Sequence, residues 1–303
     1  MYLHHFGFSD YPFRLTPDTG FFFNSVPHRD ALNMLLVAVR ANEGFVLLTG
    51  EVGTGKTLLC RQLLAELERD FCTAWIPNPH LNANGVRQAL AEELGLDPAR
   101  NLGQHRLLSM INRRLLEQTE AGRPVVVVLD ECQSMPDDAL EALRLLTNLE
   151  TERSRLLQVV MFAQPELEQR LAQHRLRQLR QRITFHHRLE PLAADAVEDY
   201  LEFRVIRAGH GGEPLFDGGA VRAIVRGSRG IPRLVNVLAH KALLVAYGRG
   251  SHRVNRSCVG RAVRDTDDAT SSNARSPAVW AMGAVAVLML LGFGAYLQGM
   301  PVP

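Results

Sequence analysis

Residues 50–57 read GEVGTGKT, and they come directly after the apolar run GFVLL at residues 44–48. The run predicts a buried strand, and the leucines of the following stretch TLLCRQLLAELERD are spaced as in a helix. A GxxxxGK[ST] loop between a strand and a helix is the arrangement that cradles phosphates. The stretch therefore predicts a nucleotide-binding loop that consists of Gly50, Glu51, Val52, Gly53, Thr54, Gly55, Lys56, Thr57 and Leu58.

The loop contains a lysine in a chain that otherwise uses arginine. Lys and Arg together number 34, yet only Lys56 and Lys241 are lysines. A compact ammonium group reaches the β and γ phosphates from such a loop, where a planar guanidinium fits badly. The glycines let backbone N–H groups turn toward the phosphates, and the helix N-terminus adds partial positive charge. We therefore predict that Lys56 binds the phosphates of ATP and that the Thr57 hydroxyl holds Mg²⁺.

A pair of carboxylates follows the next strong strand signal. Residues 124–131 read PVVVVLDE, a β-branched run typical of a central parallel strand that is buried on both faces. Because parallel strands end at one edge of a sheet, Asp130 and Glu131 are expected to face the glycine loop. We predict that Asp130 coordinates Mg²⁺ through water and that Glu131 orients and deprotonates the attacking water. Gln164 follows a third strand and is placed to read the γ phosphate, although a strand-end polar residue is an equally good interpretation.

Composition limits the class of protein. A chain of 303 residues with 46% hydrophobic and 22% charged residues is typical of a globular protein of about two domains. The formal net charge of +2 gives no general attraction to nucleic acid, which is not expected as a partner except through a local patch. The four cysteines lack C-x-x-C spacing and the eleven histidines lack ligand spacing, which argues against a zinc site or a disulfide framework.

The hydrophobic pattern divides the chain. Strands alternate with helices over residues 43–190, which predicts an α/β fold of the P-loop NTPase type with a doubly wound parallel sheet. An aromatic-rich segment at residues 1–42 precedes it. Helical patterns alone predict a smaller lid domain at residues 191–265, and residues 266–277, which are poor in apolar side chains, predict a flexible linker.

Residues 278–297, AVWAMGAVAVLMLLGFGAYL, contain no charge. As a helix they would extend about 30 Å, the thickness of the bilayer hydrocarbon. Trp280 and Tyr296 near the two ends favour a transmembrane helix over the alternative of a buried core helix. Six arginines precede the stretch from residue 249 onward and none follows it, so the large N-terminal part is expected in the cytoplasm. This predicts a single-pass protein of the bacterial inner membrane that contacts lipid through the span, with residues 298–303 as a short periplasmic tail.

Several other stretches occur in a fixed order: FGFSDYPFRLTPDTGFFF, HRDAL, VVLDECQ, LRLLTNLE, AQPEL, LRQLRQRI and GIPRLVN. With the glycine loop they resemble the AAA+ ATPases, and within them the ExeA/GspA family of secretion and pilus assembly ATPases, over about residues 1–240. The size is most similar to members that serve the mannose-sensitive haemagglutinin (MSHA) pilus. The chain has DECQ where the family often has DEAQ. It also stops six residues after the predicted span, whereas ExeA-type proteins continue into a peptidoglycan-binding domain, so cell-wall binding is not expected.

The resemblance implies roles for residues near the nucleotide. Asp130 and Glu131 match the Walker B positions, and Gln164 matches the sensor 1 position. The N-terminal segment around Phe13 and His28 is implied to line the adenine pocket.

The resemblance also implies roles for three arginines. Arg182 matches the arginine that AAA+ relatives insert into the neighbouring subunit's site, with Arg180 as a rival. Arg233, which begins a helix of the lid, matches sensor 2. Arg177 is as well explained by a solvated helix face.

The expected function is a membrane-anchored ATPase that hydrolyses ATP with Mg²⁺ between the subunits of a homo-oligomer. Its expected partners are inner-membrane assembly proteins of a type IV, MSHA-like pilus or of a type II secretion machine. Two alternatives remain open from the residues. One is an ATP-dependent DNA-binding regulator of the transposition ATPase type, and the other is a slow, nucleotide-gated scaffold.

Overall fold

The computed structural model describes residues 2–16, 18–77, 79–99, 102–149 and 155–269. In these ranges the strands are β1 (Phe45–Gly50), β2 (Cys72–Ile76), β3 (Val125–Leu129), β4 (Leu157–Ala163) and β5 (Ile183–Leu189). The helices are α1 (Tyr2–His5), α2 (Val26–Arg40), α3 (Lys56–Leu67), α4 (Ala83–Glu93), α5 (Gln104–Glu120), α6 (Asp137–Leu146), α7 (Glu166–Leu171), α8 (Arg177–Arg182), α9 (Ala194–Arg207), α10 (Gly218–Ser228), α11 (Pro232–Gly248) and α12 (Arg256–Arg264). Short 3₁₀ turns cover Thr19–Phe21, Cys132–Ser134 and His174–Leu176.

The predicted span at residues 278–297 and the predicted tail at residues 298–303 lie outside the described residues, as does most of the predicted linker. Within the described ranges, no helix combines the length and the apolar character that a bilayer crossing requires.

The strands form one parallel sheet in the order β2-β3-β4-β1-β5. All five residues of β3 are buried, as are all seven of β4, because helices cover both faces of the sheet. The predicted α/β fold with a parallel sheet is confirmed. Since β4 lies between β1 and β3, the loops after these three strands are neighbours at the carboxyl edge, which is where ligands bind in such sheets.

Two apolar layers enclose the sheet. On one face, Leu90 of α4, Ile111 of α5 and Leu143 of α6 pack against alternate residues of the strands. On the other face, Leu35 of α2 and Leu63 of α3 do the same. The carboxyl edge is thereby supported from both sides by buried helices.

A separate core belongs to α9, α10, α11 and α12, which together form the lid. Aromatic residues from the start of the chain, including Phe6, Phe13 and Phe21, are buried in this core. We call residues 2–16 and 18–23 the strap. Most of the strap therefore packs with the lid, whereas Phe22 near its end and α2, which follows it, pack on the sheet.

Three elements differ from the sequence-based expectation. Helix α2 lies in the segment described only as aromatic-rich, and it begins with Pro27 in its first turn, a common start signal. Strand β5 was not predicted, because it is an edge strand whose exposure alternates and whose sequence includes His186 and His187. The stretch PELEQRLAQHRLRQLRQR, predicted as one helix, is divided into α7 and α8 by a 3₁₀ turn.

Candidate functional site

The phosphate loop between β1 and α3 folds around its own lysine. Gly53 and Gly55 have φ angles of 81° and 102°, a region that favours glycine. Lys56 Nζ donates to the carbonyl oxygens of Gly50 at 2.7 Å and Glu51 at 3.0 Å. Burial lowers the pKa of Lys56, while nearby carboxylates raise it. Lys56 is thus a buried cation, only 5% exposed, whose acceptors are neutral carbonyl groups. An anionic phosphate would be a stronger acceptor for its ammonium group than these carbonyls.

A carboxylate and a hydroxyl meet where the loops after β1 and β3 come together. Thr57 Oγ1 donates to Asp130 Oδ2 at 2.6 Å, and the backbone N–H of Glu131 donates to Asp130 Oδ1 at 2.9 Å. Burial raises the pKa of Asp130, and these two hydrogen bonds lower it. Oxygen donors of this kind suit Mg²⁺, so the buried pair fits the predicted metal ligands.

The second carboxylate, Glu131, is held by two glutamines. Glu131 has a left-handed φ of 54°, which is uncommon for a residue other than glycine and occurs mainly at functional sites. Its Oε2 accepts hydrogen bonds from Gln133 Nε2 and, at 3.2 Å, from Gln164 Nε2. Gln133 Oε1 also accepts from the backbone N–H of Gln164 at 3.0 Å. Gln133 therefore joins the ends of β3 and β4 and orients the carboxylate.

Arg170 of α7 supports this arrangement from behind. Its guanidinium donates to the carbonyl oxygens of Gln133 at 2.8 Å and Met135 at 2.7 Å, and it pairs with Asp137. The backbone after Glu131 is therefore fixed by a charged donor. Sequence reasoning noticed the DECQ stretch but assigned no role to Gln133 or to Arg170.

A cavity of about 350 Å³ lies between the phosphate loop, the lid and the strap. The predicted loop residues from Val52 to Leu58 line it, together with Glu131, Gln164 and Arg233. Gly50 and Glu51 contribute the carbonyl oxygens that hold Lys56. Asp130 lies beside the cavity, where it accepts a hydrogen bond from Thr57, which lines it. Aromatic and polar side chains also line it: Phe21, Phe22, Phe23, Tyr200, Arg204 and Asn236. Its size and its mixture of an aromatic wall with a phosphate loop fit a nucleotide.

His28 connects α2 to the phosphate loop. Its Nε2 lies 2.9 Å from the carbonyl oxygen of Thr54, and its Nδ1 lies 2.7 Å from Ser25 Oγ. Burial lowers the pKa of His28, which favours the neutral ring with Nε2–H as donor. A Cβ on Gly55 would lie 2.8 Å from His28 Nε2, so the glycine allows this close approach. His28 lines the cavity, as the resemblance implied.

The segment around Phe13 lines the cavity through Arg14, Leu15 and Thr16, although Phe13 itself does not. Phe13 is buried in the lid core, where its ring packs edge-on against Phe216 with centroids 5.9 Å apart. The aromatic wall comes instead from residues 21–23 of the strap. The sequence did not separate these phenylalanines, because all of them lie in one aromatic-rich segment without a clear period.

Arg204 of α9 ties the strap to the lid, a role that sequence reasoning missed. It is 6% exposed, and its guanidinium donates to the carbonyl oxygens of Pro12 at 2.5 Å and Arg14 at 3.3 Å. The same group lies over the ring of Phe21, 4.6 Å from the centroid. One buried cation thus fixes the backbone and one aromatic residue of the cavity wall.

Arg233 lies where the lid meets the phosphate loop. Its backbone N–H donates to the carbonyl oxygen of Gly53 at 3.1 Å. A Cβ added at Gly53 would lie 2.5 Å from the Cβ of Arg233, so this contact requires glycine. The structure therefore brings Arg233 to the cavity from the lid side.

The three arginines of α8 lie away from the cavity. Arg177, Arg180 and Arg182 of α8 are exposed and are not among the residues that line it. Arg182 Nη1 donates to Thr147 Oγ1 at 3.3 Å. A role for Arg182 in this site of the same chain is therefore not supported, and a role in a neighbouring copy stays a prediction.

Known proteins share both the sequence and the fold. Residues 39–171 match the family described as an AAA domain. General secretion pathway protein A of Aeromonas hydrophila is 40% identical over 288 residues, which cover 95% of this chain and 52% of that protein. This chain thus spans about half the length of the curated relative it matches.

Solved structures with lower identity share the fold. Cdc6p from Pyrobaculum aerophilum has a TM-score of 0.60 at 18% identity, covering 82% of this chain and 70% of its own. The ORC1 protein of Aeropyrum pernix in complex with DNA has a TM-score of 0.55 at 23% identity, covering 85% and 67%. The RuvB Holliday junction branch migration motor of Thermotoga maritima has a TM-score of 0.53 at 17% identity, covering 81% and 71%.

These likenesses agree with the geometry of the cavity, which combines a phosphate loop, two carboxylates and a helical lid. The sequence-based resemblance to AAA+ ATPases and to the ExeA/GspA family is confirmed. Residues 39–171 therefore form an AAA domain, and over 288 residues the chain is similar to General secretion pathway protein A of Aeromonas hydrophila.

Proposed function

We propose that this chain binds ATP with Mg²⁺ in the cavity between the phosphate loop and the lid, and hydrolyses it at a site that a second copy completes. The supporting observation is the convergence on one cavity of Lys56, Thr57, Glu131, Gln164 and Arg233, which come from three strand ends and the lid. Residues so far apart in the chain meet there because β1, β3 and β4 end at the same edge of the sheet.

Each side chain has a distinct task in this proposal. Lys56 exchanges its two carbonyl acceptors for phosphate oxygens, which are stronger acceptors. Thr57 and Asp130 hold Mg²⁺, which neutralises phosphate charge when bound. Glu131 orients a water molecule and takes its proton, and the two glutamines on Oε2 keep the carboxylate in position. Arg233 adds positive charge from the lid.

The remaining charge is supplied by a neighbouring subunit. Arg182 is exposed and lies outside the cavity of its own chain, as a residue must be if it acts in another copy. Arg180 lies two residues away on the same exposed helix and is the rival. Homo-oligomerisation is thus part of the proposal, because the site lacks this arginine without a second copy.

The proposed client is an envelope machine of the inner membrane, a type II secretion system or a related MSHA-like pilus. The name of the 40% identical relative supports a secretion role. The uncharged stretch at residues 278–297 supports membrane anchoring, with the ATPase part in the cytoplasm.

The two lysines of the chain provide a matched test of nucleotide binding. Lys56→Ala removes the loop cation and is expected to abolish ATP binding. Lys241→Ala removes a lysine of the lid that is paired with Asp265 at 2.9 Å and does not line the cavity, so binding should persist. The measurement is magnesium-dependent titration of a fluorescent ATP analogue. Wild-type affinity in the Lys56→Ala variant would contradict the site.

Mixing two inactive variants tests hydrolysis between subunits. Glu131→Gln lacks the base, and Arg182→Ala lacks the arginine supplied to the neighbour, so neither alone should turn over ATP. A mixed oligomer contains sites with an intact Glu131 beside an intact Arg182, and activity should return on mixing. No recovery with Arg182→Ala but recovery with Arg180→Ala would assign the role to Arg180. No turnover by the wild-type chain, with or without membranes, would favour the nucleotide-gated scaffold.

A further inference from the structure

The near-neutral chain contains two strongly basic regions, residues 169–189 before the lid and a longer one within the lid. Residues 218–264, from the start of α10 to the end of α12, contain nine arginines, one lysine and no Asp or Glu. The formal net charge of the whole chain is only +2, so the rest of the chain is acidic. The overall charge therefore conceals a basic lid beside an acidic remainder.

Six of these arginines form an exposed surface on two adjacent helices. Helix α10 buries Val221 and Ile224 in the lid core, and helix α12 buries Val259 and Ala262. The arginines lie on the opposite, exposed sides of these helices. We call them the arginine face: Arg222, Arg226, Arg229, Arg256, Arg261 and Arg264.

The two helices run side by side in the same direction. At one end, a Cβ added at Gly219 would lie 3.4 Å from the Cβ of Arg256. At the other end, Arg229 Nη2 donates to the carbonyl oxygen of Asp268 at 3.5 Å. Both rows of arginines therefore extend along one side of the lid.

Within the described part of the chain, no arginine of this face forms an ion pair. The nearby Asp265 is paired with Lys241 at 2.9 Å, and Glu213 is paired with Arg253 at 2.8 Å. Arg261 is attracted to Asp265, and the other five exposed guanidinium groups have no ion pair in the described residues. Their mutual repulsion is relieved when they contact an anionic surface.

We propose that the arginine face lies against anionic phospholipid headgroups of the membrane in which the chain is anchored. This inference rests on the proposed membrane span. Only residues 270–277 separate the described lid from the uncharged stretch at 278–297. Even fully extended, eight residues reach about 30 Å. The lid is thus tethered within about 30 Å of the proposed span, so the arginine face can reach the bilayer surface, where anionic lipid attracts basic side chains.

The test is chemical footprinting of arginines in the full chain, reconstituted in vesicles. Phenylglyoxal modifies exposed guanidinium groups, and mass spectrometry gives the rate at each residue. Vesicles of phosphatidylcholine alone are compared with vesicles that also contain phosphatidylglycerol. We expect the arginine face to react several-fold more slowly in the anionic vesicles, and added salt should remove the protection because it screens surface charge.

A matched pair of variants shows whether lipid protection depends on arginines at this face or only on the total charge of the chain. One variant replaces four arginines of the face: Arg222→Gln, Arg226→Gln, Arg261→Gln and Arg264→Gln. The control replaces four exposed arginines elsewhere, none of which has an ion pair in the described residues: Arg40→Gln, Arg69→Gln, Arg106→Gln and Arg113→Gln. Arg229 and Arg256 are expected to lose lipid protection in the first variant and to keep it in the control.

The same footprinting experiment distinguishes anionic lipid from the other possible ligands of the arginine face. Equal protection by free inorganic phosphate would show anion binding without a membrane and would overturn the proposal. Protection by double-stranded DNA but not by anionic vesicles would assign the face to nucleic acid. Uniform reactivity in all conditions would show a solvated face. ATP binding is measured on the same samples, so failure of the nucleotide site is distinguished from failure of the arginine face.

Discussion

Gln133 provides a sharp test of how the attacking water is activated. Its side chain makes two hydrogen bonds, donating to the Glu131 carboxylate and accepting from the Gln164 N–H. A hydrogen bond to a charged group contributes about 1.5–3 kcal/mol, and a neutral one about 0.5–1.5 kcal/mol. Gln133→Ala therefore removes about 2–4.5 kcal/mol of hydrogen bonding, of which about 1.5–3 kcal/mol acts directly on the base.

The expected kinetic effect follows from that loss. Displacing a catalytic group by about 1 Å costs on the order of 10²-fold in rate. We expect Gln133→Ala to lower kcat by about 10²-fold. The Kd for ATP should remain near that of the wild-type chain, because Gln133 does not line the cavity. Steady-state turnover and titration of a fluorescent ATP analogue measure the two quantities separately.

Two further variants make the result specific. Gln62→Ala removes an equivalent amide donor from the surface, where Gln62 Nε2 lies 3.4 Å from Glu66 Oε1, and should leave kcat unchanged. Gln133→Glu keeps the acceptor for Gln164 but replaces the donor to Glu131 with a second carboxylate, which repels it, so kcat should also fall. Wild-type kcat in a folded Gln133→Ala variant would refute the proposed orientation of Glu131.

Three other predictions follow from the site. Arg182→Ala should bind ATP normally but hydrolyse it about 10³ to 10⁵-fold more slowly, in analogy with arginine fingers, and normal turnover would exclude this residue. Gly53→Ala places a methyl group 2.5 Å from the Arg233 Cβ and should weaken ATP binding. Gly95→Ala, with a similar φ of 74° but nothing within 4 Å of the added Cβ, is the control that should bind normally. Because burial lowers the pKa of His28, the unfolded chain takes up a proton at a higher pH than the folded chain, and stability should fall as pH drops below the ordinary histidine value. The melting temperature should therefore fall less between about pH 7 and pH 5 in His28→Asn than in the wild-type chain, and equal falls would contradict the burial argument.

The arrangement of the site also indicates how the lid takes part. Most of the strap and Arg204 belong to the lid, whereas His28 and the phosphate loop belong to the sheet domain. The cavity wall is thus assembled from two bodies of the fold. Phe21 and Phe23 of the cavity wall pack with the lid, whereas Phe22 packs against the sheet domain and lies edge-on to His28.

The sequence by itself determined the parts of the site that depend on local chemistry. Two local patterns predict the site: a glycine loop between a strand and a helix, and carboxylates directly after a β-branched run. Both can be interpreted from the sequence because backbone geometry and strand direction are set locally. The parallel α/β sheet followed from the alternation of strands and helices. For these reasons the sequence alone predicted that Lys56, Thr57, Asp130 and Glu131 lie at one site, where the structure brings them together.

Only the tertiary structure decided which distant residues share the cavity. Gln133 holds Glu131 because β3 and β4 are neighbours, and Arg204 shapes the cavity because the strap folds onto the lid. The edge strand β5 lacked an apolar run, since an edge buries only part of its surface. The grouping of arginines into one face likewise depends on α10 and α12 lying side by side. Long-range packing sets these contacts, and no local pattern encodes them.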